Sequence, residues 1–276
     1  MIIKIEDIKF FVKRNPNATN QKPVVFLHGF SGSSLDWKFL ISELSNEFES
    51  ITIDLLGHGK TSSPKNIGKY SCESQVQLLD DLFKKLNIVK PILVGYSMGG
   101  RLALSYLLNH PNKVEAIVLE STSFGLKKKT EKEERKKSDG VLASKIINST
   151  LEEFIDYWTD IPLFDSQKNL PLTILTKQRE NKTSTNNVLG LSNSLLGFGT
   201  GKMDNYFNEL EKIKIMVLLI TGRLDSKFTR ISKDVNSLLS NSSHIIMDGT
   251  GHNVHLEKPE EFLKFLNVFL LKSIKN

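Results

Sequence analysis

A serine between closely spaced glycines is the residue of this chain with the clearest chemical potential. In Gly95-Tyr96-Ser97-Met98-Gly99, the serine follows the apolar run 91–94 and precedes a long apolar segment that begins at Gly100. A strand, a glycine-flanked serine and a helix in this order are typical of a nucleophile elbow, a tight turn that exposes the serine hydroxyl. We therefore predict that Ser97 is chemically active rather than a plain serine in a turn.

The sequence also supplies the two partners that a reactive serine needs. A serine hydroxyl requires an imidazole that accepts its proton and a carboxylate that orients the imidazole. In chains with a nucleophile elbow these groups follow in the order serine, acid, histidine. Asp225 lies just beyond the predicted strand 215–220, and His252 lies just beyond the predicted strand 244–247. Because ligands bind at the carboxyl ends of strands in open α/β sheets, we predict Asp225 as the orienting acid and His252 as the base.

Other histidines and one other aspartate compete for these roles. His255 lies close behind His252 but lacks a preceding glycine, and Asp248 ends a strand shortly before His252. We rank His255 below His252 because it lacks this glycine. We rank Asp248 below Asp225 because Asp248 lies only four residues from His252, whereas Asp225 has the favoured strand-end position. The remaining histidines are interpreted as structural: His28, His58, His110 and His244.

Negative charge that develops on a substrate oxygen is usually stabilised by two backbone N–H groups. One is expected from Met98, directly after the serine, and the other from Phe30, in the loop that follows the predicted buried strand 23–27. We predict that these two amides form an oxyanion hole.

Arg101 lies one helical turn after Ser97 and on the same face of the predicted helix. It has two explanations of equal weight. It could pair with a carboxylate in the sheet, or it could bind a substrate carboxylate through two parallel hydrogen bonds.

The scaffold around these residues alternates strands with helices. Such alternation predicts an α/β fold with a mostly parallel central sheet and helices on both faces. The predicted strands cover 2–14 (as two short strands), 23–27, 50–53, 91–94, 114–119, 215–220 and 244–247, and the predicted helices cover 33–48, 71–86, the segment after Ser97, 229–239 and 260–271.

The alternation stops in the middle of the chain, where several helices and polar loops are predicted. We therefore assign 1–120 and 211–276 to the sheet core and 121–210 to a helical cap insertion over the strand ends. The charge-dense run 127–137 is interpreted as a solvated helix face, in preference to part of an anion site under the cap.

Composition limits the function classes further. The chain has 276 residues, of which 39% are hydrophobic and 25% charged, as in ordinary globular proteins. A formal net charge of +6 is too modest and too dispersed to predict nucleic-acid binding, and it suits an anionic small molecule better than a cationic one. The single cysteine, Cys72, offers neither an internal disulfide nor a metal cluster. Without a secretory signal or an apolar run long enough for a membrane span, a cytoplasmic location is expected.

Together these motifs resemble the α/β-hydrolase superfamily. More narrowly, they are similar to the 2-succinyl-6-hydroxy-2,4-cyclohexadiene-1-carboxylate synthases of menaquinone biosynthesis. The narrower resemblance covers nearly the whole chain and rests on cap segments as much as on the elbow, which alone is unspecific. The matching stretches are 28–30, 95–101, 154–158, 161–164, 197–201, 225–228 and 251–255.

The resemblance implies a lyase that uses no metal or organic cofactor. Its substrate would be a small molecule with several carboxylates and an enolpyruvyl ether, from which the enzyme removes a ring proton and expels pyruvate. Ser97 would then act as the base rather than as an acylated nucleophile, and the oxyanion hole would hold a developing enolate oxygen. The resemblance assigns the substrate contacts to Tyr96, Arg101, Trp158 and Arg179.

Two positions depart from the family pattern. Leu196 stands where relatives often carry arginine, and another cap arginine falls near Lys136 or Lys137 here. Lysine keeps the charge but not the planar fork of arginine. These departures concern anion binding in the cap and leave the predicted triad unaffected.

Two other classes of function stay open at this point. A serine hydrolase, either a carboxylesterase or a carbon–carbon bond hydrolase, would use the same triad. A non-catalytic ligand-binding protein on this fold is less favoured, because such proteins often lack a triad member. The sequence predicts no oligomeric state.

Overall fold

One eight-stranded sheet runs through the computed structural model, which describes residues 1–15 and 21–274. Its order is β1-β2-β4-β3-β5-β6-β7-β8. β1 and β2 pair antiparallel, β2 joins β4 antiparallel, and all the remaining pairs are parallel. The predicted α/β sheet is therefore confirmed. The strands are β1 Ile2–Ile5, β2 Ile8–Asn15, β3 Lys22–Leu27, β4 Phe48–Ile53, β5 Ile92–Tyr96, β6 Ala116–Glu120, β7 Met216–Gly222 and β8 Ser242–Met247.

Helices cover both faces of this sheet. The continuous apolar run of β3 shows why: Val25 and Leu27 enter the hydrophobic core on one face, while Val24 and Phe26 enter the core on the other. The helices are α1 Lys38–Ser42, α2 Cys72–Lys85, α3 Met98–Asn109, α4 Lys129–Ile147, α5 Leu151–Thr159, α6 Leu172–Thr185, α7 Val188–Phe198, α8 Ser226–Asn236, α9 Val254–Glu257 and α10 Pro259–Ser273.

Four helices, α4 to α7, occupy the segment between β6 and β7. Three of them, α4, α5 and α7, share a small hydrophobic cluster of their own, against which Phe30 and Trp158 pack. The cluster consists of Ala143, Ile146, Phe154, Ile155, Leu191 and Leu195. The predicted helical character of this segment is thus present, and its division from the core at residues 120 and 211 stays a prediction.

The predicted helix 33–48 is much shorter in the structure. A 3₁₀ turn, Ser34–Trp37, leads into the short helix α1, and the chain leaves the helical path at Glu43. The Ser42 hydroxyl donates to the Phe39 carbonyl at 2.8 Å, a local bond that competes with a further helical turn. The apolar spacing reflects burial of Trp37 and Leu40 under the sheet rather than a long helix.

Candidate active site

Ser97 sits on a strained turn between β5 and α3. Its backbone has φ 49° and ψ −102°, a conformation that non-glycine residues rarely adopt. Its N–H donates to the carbonyl of Glu120 at 2.8 Å, which ties the turn to β6. The flanking glycines are required by space: a Cβ on Gly99 would lie 2.1 Å from the Leu27 carbonyl oxygen, and one on Gly95 would lie 2.5 Å from the Cα of Gly100.

We expect Gly99→Ala to lower the free energy of unfolding by about 3 kcal/mol or more, because backbone rather than a flexible side chain blocks the new methyl group. Gly140→Ala is the matched control, since a Cβ there meets nothing within 4 Å and the residue lies inside α4. That variant is expected to raise the free energy of unfolding by about 0.5–1 kcal/mol. Urea denaturation measures both, and equal effects at the two glycines would contradict the packing argument.

The structure brings the three predicted triad residues together. His252 Nε2 lies 3.0 Å from Ser97 Oγ, and His252 Nδ1 lies 2.7 Å from Asp225 Oδ2. The other carboxylate oxygen of Asp225 accepts the N–H of Phe228 at 3.2 Å, at the start of α8. With Nδ1 donating to the carboxylate, Nε2 is free to accept the serine proton. The arrangement can therefore move a proton to and from Ser97 Oγ.

Neither competing residue reaches Ser97. His255 Nδ1 lies 2.7 Å from Glu120 Oε2, and its ring stacks on Trp37 with centroids 4.2 Å apart. Asp248 forms an exposed ion pair with Arg223. The ranking of both below His252 and Asp225 agrees with these positions.

The two predicted oxyanion donors face the same cavity as the serine. Phe30 and Met98 both line the space above Ser97. Within the described part of the chain, neither amide N–H donates a hydrogen bond to a protein acceptor. The loop that carries Phe30 approaches closely because Gly29 lacks a Cβ, which would lie 2.6 Å from the Tyr96 ring. Both amides are thus available for a substrate oxygen.

The cavity above the serine has an empty space of about 830 Å³, counted to its open mouth. Aromatic rings form much of the wall, with edge-to-face contacts between Phe30 and Trp158 and between Trp158 and Phe164. Both Tyr96 and Trp158, which the family resemblance assigns to the substrate, line this space. Its other lining residues include Leu163, Leu195, Phe198, Gly199 and Phe228.

Three cationic side chains line the cavity, namely Arg101, Arg135 and Lys227, and no carboxylate does so among the described residues. Arg101 is buried, donates from Nη1 to the Phe198 carbonyl at 2.5 Å and stacks on the Phe198 ring at 4.7 Å. No described carboxylate lies at ion-pair distance from it, so the explanation that it pairs within the sheet is wrong. Burial lowers the pKa of Arg101 to about 10, which leaves it charged near neutral pH.

Arg135 is a cavity residue that the sequence interpretation missed. It lies on α4 within the charge-dense run, where it donates to Asp139 Oδ1 at 2.7 Å. Lys136 instead pairs with Glu133 on an exposed face. Arg135 is the only arginine in 127–137, directly before Lys136, and its residue type is the signal in the sequence that could have singled it out. Part of the run does line the site, against the preferred interpretation of a wholly solvated face.

The structure does not bring Arg179 to the cavity. Its guanidinium holds both carboxylate oxygens of Asp156, at 2.5 and 2.9 Å, in an exposed ion pair between α6 and α5. Arg179 does not line the cavity above Ser97, so its assignment as a substrate contact is corrected. Leu196 also lies outside the cavity and packs against the hydrophobic cluster of α4, α5 and α7.

His28 and His58 are structural, as interpreted from the sequence. His28 Nε2 accepts the N–H of Leu55 at 2.9 Å, and His58 Nδ1 donates to the Leu56 carbonyl at 3.1 Å. The His58 ring lies edge-to-face with Phe30 at 5.6 Å, beneath the oxyanion loop. Burial, reinforced by the neighbouring His28, lowers the pKa of His58 to about 3.

A pH dependence of stability follows from His58. The unfolded chain binds a proton on this residue below pH 6.5, whereas the folded chain does not until about pH 3. As the pH decreases through that window, the free energy of unfolding should therefore fall by about 1.4 kcal/mol per pH unit on account of this one group. We expect His58→Asn to lose this contribution. Between pH 3 and pH 6.5, the slope of its free energy of unfolding against pH, measured by denaturant unfolding, should be smaller by about 1.4 kcal/mol per pH unit, the contribution of one proton. An unchanged slope would contradict the burial argument.

Residues 1–15 and 21–274 contain neither a metal-ligand cluster nor a membrane-spanning helix. No cluster of three or more His, Cys, Asp or Glu side chains there is arranged to hold a metal ion. No helix in the same part of the chain is long and apolar enough to cross a membrane.

Comparison with known protein families identifies the family of this fold. The α/β-hydrolase fold matches residues 22–259, and the chain belongs to that family. Within it, the putative 2-succinyl-6-hydroxy-2,4-cyclohexadiene-1-carboxylate synthase of Bacillus subtilis (strain 168) is 44% identical over 92% of each chain. The synthase of the same name from Enterobacter sp. (strain 638) is 29% identical over 92% of this chain and 93% of its own.

A solved structure supports the same relationship. MenH from S. aureus matches with a TM-score of 0.90 and 33% identity, covering 99% of this chain and 100% of its own. The chain is thus a member of the same family as these relatives and an enzyme of the α/β-hydrolase superfamily. The resemblance drawn from the sequence motifs is confirmed.

Proposed function

We propose that the enzyme is a carbon–oxygen lyase of menaquinone or related naphthoquinone biosynthesis. It eliminates pyruvate from 2-succinyl-5-enolpyruvyl-6-hydroxy-3-cyclohexene-1-carboxylate and leaves 2-succinyl-6-hydroxy-2,4-cyclohexadiene-1-carboxylate. The names of the relatives at 44% and 29% identity support this reaction. The substrate carries several carboxylates, and the charged side chains that line the cavity have the opposite, positive charge.

The charge of the cavity is the observation that carries the proposal. Arg101, Arg135 and Lys227 line it, and no carboxylate among the described residues does. A buried arginine without an anionic partner is costly, because burial disfavours the charged form. A bound carboxylate would supply that partner. A pocket for neutral esters has no need for such a group.

The triad geometry suits proton abstraction. Asp225 holds Nδ1 of His252, so that Nε2 accepts the proton of Ser97 Oγ. As that proton transfers, the serine oxygen removes the ring proton of the substrate, so that one proton in total passes to the imidazole. As the electron pair moves into the ring, the bond to the enolpyruvyl oxygen breaks and pyruvate leaves as its enolate. The His252 imidazolium returns its proton to the carbon of that enolate, which restores the triad to its starting state.

The developing enolate oxygen of the substrate would lie against the Phe30 and Met98 amides. These N–H groups lack a protein acceptor in the described chain and line the cavity beside Ser97. Pre-aligned donors of this kind stabilise charge as it forms and need no rearrangement during the reaction. Aromatic walls around Trp158 and Phe164 exclude water and strengthen the interaction.

The test is pyruvate release from the named substrate by purified enzyme. We expect catalytic release that persists after exhaustive treatment with a chelator. Release of pyruvate at the uncatalysed rate, together with rapid turnover of simple carboxylic esters, would instead identify a serine hydrolase. Binding of the polyacid without turnover of any substrate would indicate a ligand-binding protein.

A further inference from the structure

The oxyanion loop contains a residue whose backbone is strained. Ser31, directly after Phe30, has φ 59° and is completely buried. The Gly32 N–H donates to the Gly29 carbonyl at 3.0 Å, which closes a tight turn around Phe30 and Ser31. A left-handed conformation is unfavourable for a serine, so contacts outside the turn must hold it in place. The direction of the Phe30 N–H depends on this turn.

Two side chains from the end of α6 make such contacts. Asn186 Nδ2 donates to the backbone carbonyl of Ser31 at 2.9 Å, and Lys182 Nζ donates to its hydroxyl at 3.3 Å. Asn186 Oδ1 also accepts the N–H of Gly59 at 3.3 Å. The end of α6 therefore holds two loops that follow neighbouring strands, β3 and β4.

Lys182 is poorly explained by stability alone. The side chain is buried, and no described carboxylate lies at ion-pair distance from it. Burial lowers its pKa, an effect that the charge of Asp36 offsets only in part. A buried cation held by one hydroxyl costs folding energy, and an apolar residue of similar length would cost less.

We propose that Lys182 and Asn186 are positioning residues, which hold Ser31 so that the Phe30 amide points at the developing oxyanion. Helix α6 thereby completes the oxyanion hole from the cap side. The inference deepens the proposed function and rests on it, because it assigns the Phe30 N–H a role in the transition state. Neither side chain lines the cavity, so each acts through Ser31 and not on the substrate.

The effects on rate, binding and stability should therefore separate. In Lys182→Met and in Asn186→Ala we expect kcat for pyruvate release to fall about tenfold or more, since a misaligned donor loses part of its effect. KM should stay within about twofold, because ground-state contacts are untouched. The Tm of Lys182→Met should be equal to or above that of the wild type. A merely structural lysine would show the opposite, a lower Tm with kcat preserved.

Two further variants sharpen the test. Lys177→Met is the matched control, because Lys177 lies on the same helix but on its exposed face, and its kcat should not change. Ser31→Ala removes the hydroxyl that Lys182 contacts, and it provides a second reading if Lys182→Met folds poorly. The double variant Ser31→Ala, Lys182→Met should have a kcat no lower than that of the slower single variant, because the two substitutions remove the same hydrogen bond.

A second assay separates this inference from the proposed function. A small fluorophosphonate reacts with Ser97 while its phosphoryl oxygen occupies the oxyanion hole, so its labelling rate reports the hole without the natural substrate. Suppose that the wild type releases no pyruvate but is labelled, and that labelling is slower in the variants than in the wild type. This result would overturn the proposed function and uphold the positioning role. Unchanged kcat and unchanged labelling in Lys182→Met and Asn186→Ala would overturn the positioning role. A wild type inert in both assays would overturn both.

Discussion

Ser97→Ala should lower kcat for pyruvate release by about 10³–10⁴-fold, because it removes the oxygen that carries the proton between substrate and His252. KM should change by no more than about threefold, since the hydroxyl contributes little to binding a polyacid. The variant should also keep its stability, because alanine can occupy the same backbone turn as serine. Steady-state kinetics of pyruvate release measure the first two quantities, and thermal unfolding measures the third.

Ser105→Ala is the matched control for this variant. Ser105 is buried and lies on α3, the helix that Ser97 precedes, where its hydroxyl donates to the Arg101 carbonyl at 2.8 Å, away from the cavity. Its kcat should stay within about twofold of the wild type, as for substitutions outside a site. Comparable losses in the two variants would mean that helix α3, and not the Ser97 hydroxyl, was disturbed. Normal turnover by Ser97→Ala would remove serine from the mechanism.

Arg101→Met should raise KM for the polyacid by about 30-fold or more. Loss of one partner from a buried, hydrogen-bonded charge pair costs about 2–5 kcal/mol. The effect should be this large because Arg101 is buried and has no described carboxylate as a partner, so the substrate supplies it. Arg101→Lys should recover only part of the affinity, because lysine lacks the planar fork that grips both carboxylate oxygens.

Arg230→Met provides the comparison for this prediction. Arg230 is exposed on α8 and does not line the cavity, so its KM should not change. Similar KM values for Arg101→Met and the wild type would show that the cavity binds its ligand without this arginine. The proposal of a polyanionic substrate would then lose its main support.

Much of the sheet and of the triad could be predicted from the sequence, for one physical reason. Parallel strands end at a common edge, so residues just beyond three such strands, Ser97, Asp225 and His252, must lie near one another. Apolar runs locate the strands, and glycines locate the elbow. Both signals are local, and no knowledge of helix packing is needed to read them.

The cap could not be predicted to the same depth, because its side chains are directed by how helices cross. Arg135 reaches the cavity while Lys136, the next residue, pairs with Glu133 on an exposed face. The choice depends on the rotation of α4 about its axis, which packing against α7 sets. Arg179 was assigned to the substrate, yet Asp156 on another helix holds it. Such pairings between residues that are distant in the sequence cannot be recognised from the spacing of residue types along the chain.

The mass of the second product tests the central claim most directly. The wild-type enzyme should convert 2-succinyl-5-enolpyruvyl-6-hydroxy-3-cyclohexene-1-carboxylate into equal amounts of pyruvate and a cyclohexadiene. That cyclohexadiene should have the mass of the substrate less pyruvate, and Ser97 should remain unmodified during turnover. Hydrolysis of the substrate would instead give a second product heavier than the cyclohexadiene by one water. Acyl transfer to Ser97 would increase the mass of the enzyme. Either result would contradict elimination with Ser97 as the base.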